Sequence, residues 1–396
     1  MRKTAAALLV LAATPAQAQL LDTPLPANAV PGYGTPFSVV TARRAQAPGA
    51  TIWGLGGVSL APSLTMASGY DTAPNGGAAS PLASATPSLL LADPVAGFGA
   101  YAAASASLYP ADTRQNTQSL ALAAGERLQL ARDTLTFSAA YLRAAATGFA
   151  LETSASPKPL AYTLTDLRAA DEISAPTFTL TPDIDARLLT FPGLALQNRR
   201  DTRETLLLRS DGDGILAALL RLRATQSLYR TGGLDSATQS ALAGLTDTQD
   251  GLWTLSLLAG AAWRQTAHGP PLTAPVLEAG ADWAPDADTQ LRLTVAREID
   301  DPDDISATPY TLTQARLAVT SGAPGCLTLS ARLQAETAAY WRTAERETLY
   351  TVRLGAAWPL SPLLALNGDY TFNDRQSNTQ GAANEHVLTL GLTWTP

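Results

Sequence analysis

The chain ends in Val387-Leu388-Thr389-Leu390-Gly391-Leu392-Thr393-Trp394. Leu388, Leu390, Leu392 and Trp394 hold one parity, and Val387, Thr389, Gly391 and Thr393 hold the other. Successive side chains of a strand point to opposite faces, so one face of this segment suits lipid and the other suits water. Working back towards the N-terminus, a unit of about ten to fourteen residues with the same alternation recurs as far as Gly57. That is the pattern of a transmembrane β-barrel.

The alternation is clearest in the second half. Trp253, Leu255, Leu257, Ala259, Ala261 and Trp263 form one outward row, and Leu277, Ala279, Ala281 and Trp283 the next. Leu291, Leu293 and Val295, then Leu327, Leu329, Ala331 and Leu333, then Tyr350, Val352, Leu354 and Trp358 continue it. Nearer the start, Val58, Leu60, Leu64 and Met66 oppose Ser59, Ser63 and Thr65. A soluble β-sandwich or β-solenoid would also alternate, but the tryptophans weigh against both. Trp253 and Trp263 bracket one strand, while Trp283, Trp358 and Trp394 sit near strand ends on the outward parity, as an aromatic girdle does at a membrane interface.

Tight connections at Arg132-Asp133, Asp211 to Gly214, Pro285 to Asp288, Gly322 to Gly325 and Pro359 to Pro362 are predicted to be periplasmic turns. Longer polar links, Glu298 to Tyr310, Ala338 to Arg346 and Asn373 to Glu385, are predicted to face outside. The count is about eighteen antiparallel strands, an even number that leaves both termini in the periplasm. Irregular patterning over residues 146–250 leaves sixteen open.

Residues 1–18 carry Arg2 and Lys3, an apolar stretch from Ala5 to Ala13, Pro15, and small residues at Ala16 and Ala18. This is the layout of a secretory signal cleaved after Ala18. The apolar stretch is well short of the roughly twenty residues that span a bilayer as a helix. Residues 19–56 carry Pro24, Pro26, Pro31, Pro36 and Pro48 and no sustained period, so they are expected to form an extended periplasmic arm, with a plug domain as the alternative. The barrel is expected over residues 57–396.

The formal net charge is −7, and −9 without Arg2 and Lys3, which argues against nucleic acid as a partner. One cysteine, Cys326, excludes an intramolecular disulfide. The expected partners are outer-membrane lipid, lipopolysaccharide and the machinery that assembles barrels, and a homo-oligomer is compatible with the sequence.

Three stretches resemble a known family. Trp283-Ala-Pro-Asp-Ala-Asp-Thr-Gln-Leu-Arg-Leu-Thr-Val-Ala-Arg-Glu-Ile299 resembles the tryptophan, proline turn and arginine-ending strand of outer-membrane β-barrel porins of the second BBP type. Leu60 to Asp71 resembles that family's first strand, and Tyr370 to Asn378 its penultimate strand and loop. The resemblance spans about residues 40–396. The chain departs from the pattern after Asp71 and in ending Trp394-Thr-Pro396. The resemblance implies a porin-like outer-membrane barrel, with a link to exopolysaccharide systems for some members.

Charges on the lumen parity are the candidate selectivity residues: Glu278, Asp282, Arg292, Glu298, Arg316, Arg332, Glu336, Arg353 and Asp369. Arginines on adjacent strands facing acids would set a transverse field that biases solute entry, or would serve as wall-stabilising ion pairs. Asp300, Asp301, Asp303 and Asp304 crowd one loop, where oxygen ligands for a divalent cation compete with simple solvation. Asp211-Gly-Asp-Gly214 lacks the later glutamate of a calcium loop and is expected to be a turn. The two histidines, His268 and His386, are expected to be solvent-exposed. No metal-ligand spacing, nucleotide fingerprint or phosphate loop is present, so no catalytic residues and no cofactor are expected. Three functions remain open at this point: passive diffusion of small hydrophilic solutes, export of a polysaccharide with envelope partners, and a non-conducting structural barrel with surface loops.

Overall fold

The computed structural model describes residues 25, 30–33, 53–55 and 57–396, apart from 94, 150, 152–157, 211–214, 231, 248–251, 287, 302–307 and 324–325. The expected signal peptide, Asp303, Asp304 and the Asp211–Gly214 turn lie outside the described residues.

A three-residue strand, β1 (Trp53–Leu55), precedes eighteen long ones. These are β2 (Val58–Asp71), β3 (Ser80–Asp93), β4 (Phe98–Leu108), β5 (Thr117–Leu130), β6 (Asp133–Ala146) and β7 (Leu160–Ser174). Then follow β8 (Phe178–Thr190), β9 (Arg199–Ser210), β10 (Leu216–Tyr229), β11 (Ser236–Asp247), β12 (Trp253–Thr266) and β13 (Leu272–Trp283). The last six are β14 (Thr289–Asp300), β15 (Tyr310–Gly322), β16 (Thr328–Tyr340), β17 (Arg346–Ser361), β18 (Leu364–Ser377) and β19 (Gly381–Trp394). Each pairs antiparallel with its sequence neighbours, and β19 pairs with β2 from Val387↔Asp71 to Trp394↔Leu64. The sheet is therefore a closed barrel of eighteen strands.

Closure needs close approach at the seam. A Cβ on Gly69 would collide with the Leu388 carbonyl, and one on Gly391 would crowd Met66 and Ala67. Thr65 and Thr393 hydroxyls meet across the same pair at 2.8 Å. Beyond Leu64, β19 has run out, and β1 takes up the free edge of β2 through Trp53↔Leu60 and Leu55↔Val58.

The outward parity is as the sequence indicates. Leu388, Leu390, Leu392 and Trp394 are all exposed, as are Leu255, Leu257, Leu329, Leu333 and Leu354. A closed barrel with this apolar outer band is built to sit in an outer membrane. Trp253 and Trp283 are register partners, stacked at 4.9 Å between ring centroids, at the end of the barrel that carries the 131–132 and 362–363 turns. Trp358 and Trp394 lie at that end too, and Trp263 lies near the other.

The long polar links are shorter than expected. Asn373 to Glu385 is mostly strand, leaving only 378–380 as the connection, and Ala338 to Arg346 reduces to 341–345. The physical reason is strand length. All the long strands but β4 have 12 to 16 residues, more than the roughly 9–11 that cross a bilayer, so strand ends stand in water and become polar while the ladder continues.

An outward carboxylate, Glu204, interrupts the apolar band. The cross-strand row Trp263, Gln239, Ala224, Glu204, Ile184, Ala169, Phe137 runs from one end of β12 down towards the opposite end of β6, because tilted strands carry a row obliquely across the wall. Glu204 lies midway along it, exposed, in an outer-wall groove of about 710 Å³. A carboxyl at that depth opposes insertion. Glu204→Leu is expected to stabilise the folded barrel by about 1 kcal/mol in denaturant titrations from lipid vesicles. An unchanged or lower midpoint would show that this face is not in contact with lipid.

Candidate functional site

The lumen divides into three sectors. In the first, β5–β8 present unusually apolar inward side chains, Ala121, Ala123, Ala140, Leu142, Tyr162, Leu164 and Leu189, joined by Phe191 just past the end of β8. Leu25, Val30 and Tyr33, from the segment expected to be a periplasmic arm, pack on them and are themselves buried. These residues are thus inside the barrel wall rather than outside it. The four residues Val30-Pro-Gly-Tyr33 close a β-turn through Tyr33 N–H to the Val30 carbonyl at 3.1 Å, with Gly32 at φ +82°. Proline second and glycine third is the signature of a type II turn.

The second sector is an ion-pair network over β7–β14. Asp166, fully buried, accepts hydrogen bonds from the Tyr33 hydroxyl at 2.7 Å, Arg168 Nε at 2.9 Å and Arg187 Nε at 2.8 Å. Arg187 also donates to Asp185 on its own strand. Arg199 pairs with Asp201 at 3.1 Å. Glu278 accepts from both Arg221 and Arg223, reaching from β13 to β10, and Arg223 lies 3.8 Å from Glu298 on β14. Arg264 donates to Asp301 and to the Ser236 hydroxyl, the latter at 2.8 Å. Such side chains are held out of water only because each charge meets its opposite. The Arg187–Asp166 pair joins neighbouring strands, whereas Arg221 and Arg223 reach across two intervening strands to Glu278, Arg223 across three to Glu298, and Arg264 across one to Asp301, tying distant parts of the wall together.

The third sector, β16–β18, is open towards the end that carries the 362–363 turn; towards the other end Glu347 and Arg375 are buried and paired at 2.7 Å, and Arg375 donates to the Gly148 carbonyl at 2.8 Å. Ser330, Arg332, Arg353 and Asp369 all face inward and are exposed. Arg332 and Arg353 are direct register partners, so two guanidinium groups stand side by side. Among the described residues no carboxylate lies within 4 Å of either.

The sequence-nominated charges therefore separate. Asp282 and Arg292 are register partners joined at 2.6 Å. Arg316 donates to Gln334 at 3.1 Å, with Glu336 at 4.0 Å. Glu278 belongs to the buried network, and only Arg332, Arg353 and Asp369 meet open water. Asp300 ends β14, and Asp301 is buried against Arg264 rather than solvated in a loop. His268 is exposed in a connection, and His386 faces outward, where Nδ1 meets the Tyr370 hydroxyl at 2.9 Å. Cys326 is exposed beside a turn.

The residues that sequence reasoning missed are Asp166, Arg168, Asp185, Arg187, Arg199, Asp201 and Arg264. A signal was present. Asp166-x-Arg168, Asp183-x-Asp185-x-Arg187 and Arg199-x-Asp201-x-Arg203 place charges at period two, which puts each set on one face of a strand. Apolar alternation is weaker there, so the strands were hard to phase.

A closed barrel with an apolar band outside and charged side chains within is the architecture of an outer-membrane β-barrel. Residues 263–395 match the family described as "Putative beta-barrel porin 2". It is the family that the sequence resembles, and the stretches 283–299 and 370–378 fall within the match whereas 60–71 falls outside it. No curated protein matches the chain. Among solved structures, OccK1 (OpdK) of Pseudomonas aeruginosa is similar at 10% identity with a TM-score of 0.48, covering 85% of this chain and 99% of that one. OccK2 (OpdF) of the same organism is similar at 12% identity with a TM-score of 0.46, covering 85% and 98%.

In this porin-like barrel the network makes a clear expectation. Glu278→Gln removes the partner of two buried arginines and is expected to destabilise the barrel by about 3 kcal/mol. Replacing Glu278, Arg221 and Arg223 together by apolar residues is expected to cost much less. Denaturant midpoints in one lipid composition test this, and equal losses would show that the network is hydrated and its members independent.

Proposed function

We propose that the barrel is a porin-like channel for passive, weakly selective diffusion of small hydrophilic solutes, with a bias towards anions. The observation that carries this reading is the Arg332–Arg353 pair. Register fixes the two positive charges next to each other, and both are exposed to lumen water without a neighbouring carboxylate within 4 Å among the described residues. Like charges held together are eased by any mobile anion that passes, whereas a cation gains nothing. Asp369, exposed on the next strand, is opposite Gly355 rather than Arg353, and it limits the bias to a weak one. Passage needs no chemistry from the wall.

The filled sectors favour a second reading, a structural barrel that conducts nothing, because buried side chains and the Val30–Tyr33 turn take up lumen space along β5–β14. Single-channel recording in planar bilayers separates the two. The native chain is expected to show a stable open current with anion preference, and Arg332→Ala with Arg353→Ala is expected to lower the anion-to-cation permeability ratio by about twofold. The paired change Asp282→Asn with Arg292→Gln, which removes both members of a closed ion pair, is expected to leave the ratio near native. No current from a folded native barrel would decide for the structural reading.

A further inference from the structure

We propose that Leu25 and the Val30–Tyr33 turn are a fixed internal lining that sets the bore of the channel and confines solutes to the side faced by Arg332, Arg353 and Asp369. The proposal rests on the channel reading above and adds to it the residues that determine size exclusion.

Four observations carry it. The segment is buried as a core is: Leu25 is 5%, Val30 1% and Tyr33 3% exposed. Its seat is shaped for it, since a Cβ on Gly125 would collide with the Pro31 carbonyl and one on Gly32 would collide with the Ser138 hydroxyl. At these contacts backbone meets wall with no room for a side chain. The seat is also apolar where a lumen should be polar. Without the segment, Leu142, Leu164 and Leu189 would face water inside the pore.

The fourth observation is a polar lock. The Tyr33 hydroxyl donates to Asp166, the guanidinium of Arg168 lies 4.6 Å from the centroid of the Tyr33 ring, and Arg168 Nη1 donates to the Gly32 carbonyl at 3.1 Å. Asp166 in turn holds Arg187, so the lining is fastened to the same network that ties the wall together. A segment meant to swing aside would leave both an apolar patch and a buried carboxylate without its third donor. The contacts are those of a permanent fixture.

Two variants in a Cys326→Ser background, recorded as single channels, test the proposal. A Cβ built on Gly32 falls 2.9 Å from that of Ser138, shorter than the roughly 3.5–4.5 Å of a disulfide, so Gly32→Cys and Ser138→Cys bridge once the turn backs off by about 1 Å while staying in its seat. Mild oxidation of the folded barrel is expected to join them, and the joined channel is expected to conduct as the native one does. The second variant, Leu25→Ser with Val30→Ser, Pro31→Ser and Tyr33→Ser, is expected to release the segment and raise conductance by about twofold, since conductance follows the free cross-section.

A joined channel that falls silent while the native one conducts would mean that the segment must leave for passage, which overturns a fixed lining in favour of a gate. A serine variant that folds and conducts at the native level overturns it as well. Should the serine variant fail to fold, the disulfide arm decides alone. If the native chain itself carries no current, the channel reading fails first and the lining proposal with it. Native current with unchanged variant conductance sinks only the lining.

Discussion

Everything in this molecule depends on the seam between β19 and β2. A strand in hydrocarbon cannot leave its N–H and C=O groups unpaired, because no water is there to replace the lost bonds. Eighteen strands satisfy one another only once the last meets the first, and here eight residue pairs do so from Val387↔Asp71 to Trp394↔Leu64. Glycine at 69 and 391 lets the two backbones come together where any larger residue would hold them apart. The part of β2 that β19 cannot reach is covered by β1. The edge is thus closed along most of its length by the barrel and at its end by a piece of the N-terminal segment.

Closure creates an interior, and the interior has to be reconciled with the charges placed in it. Over β7–β14 this is done by pairing. Asp166 takes three donors, from β7, β8 and the N-terminal segment, and Glu278 on β13 takes two guanidinium groups from β10. Over β5–β8 it is done by covering, with Leu25, Val30 and Tyr33 shielding apolar side chains that would otherwise face water. Tyr33 belongs to both arrangements, since its ring packs in the apolar cluster and its hydroxyl bonds to Asp166.

Much of this was legible in the sequence where one physical signal dominated. The outward leucines of β12, β16, β17 and β19 announce lipid because period-two alternation is strong, and tryptophans mark strand ends. The eighteen-strand count follows from turns such as Pro285 to Asp288. Strand length was less legible. Residues 373–377 are polar on both faces and 381–385 carry only small or polar side chains, which in a soluble protein signals a loop but in a barrel signals a strand that has left the membrane. Val30-Pro-Gly-Tyr33 carries a turn signature, but nothing local says where that turn docks. Its seat is assembled from β5 to β8, 90 to 160 residues away in sequence, and only closure of the barrel brings those strands around it.

The same contrast explains why Arg332 and Arg353 differ from the other nominated arginines. Sequence places Arg292, Arg316, Arg332 and Arg353 equally on the lumen parity, and period alone cannot rank them. Register can. It sets Arg292 against Asp282 and Arg316 against Gln334 beside Glu336, so their charges are spent on the wall. It sets Arg332 against Arg353, a pairing that is repulsive unless water and mobile ions screen it. Such a pair persists only on a face that stays wet, and the neighbouring inward residues, Ser330 and Asp369, are exposed as that requires. The wet face of the lumen is therefore marked by the place where two like charges are tolerated side by side.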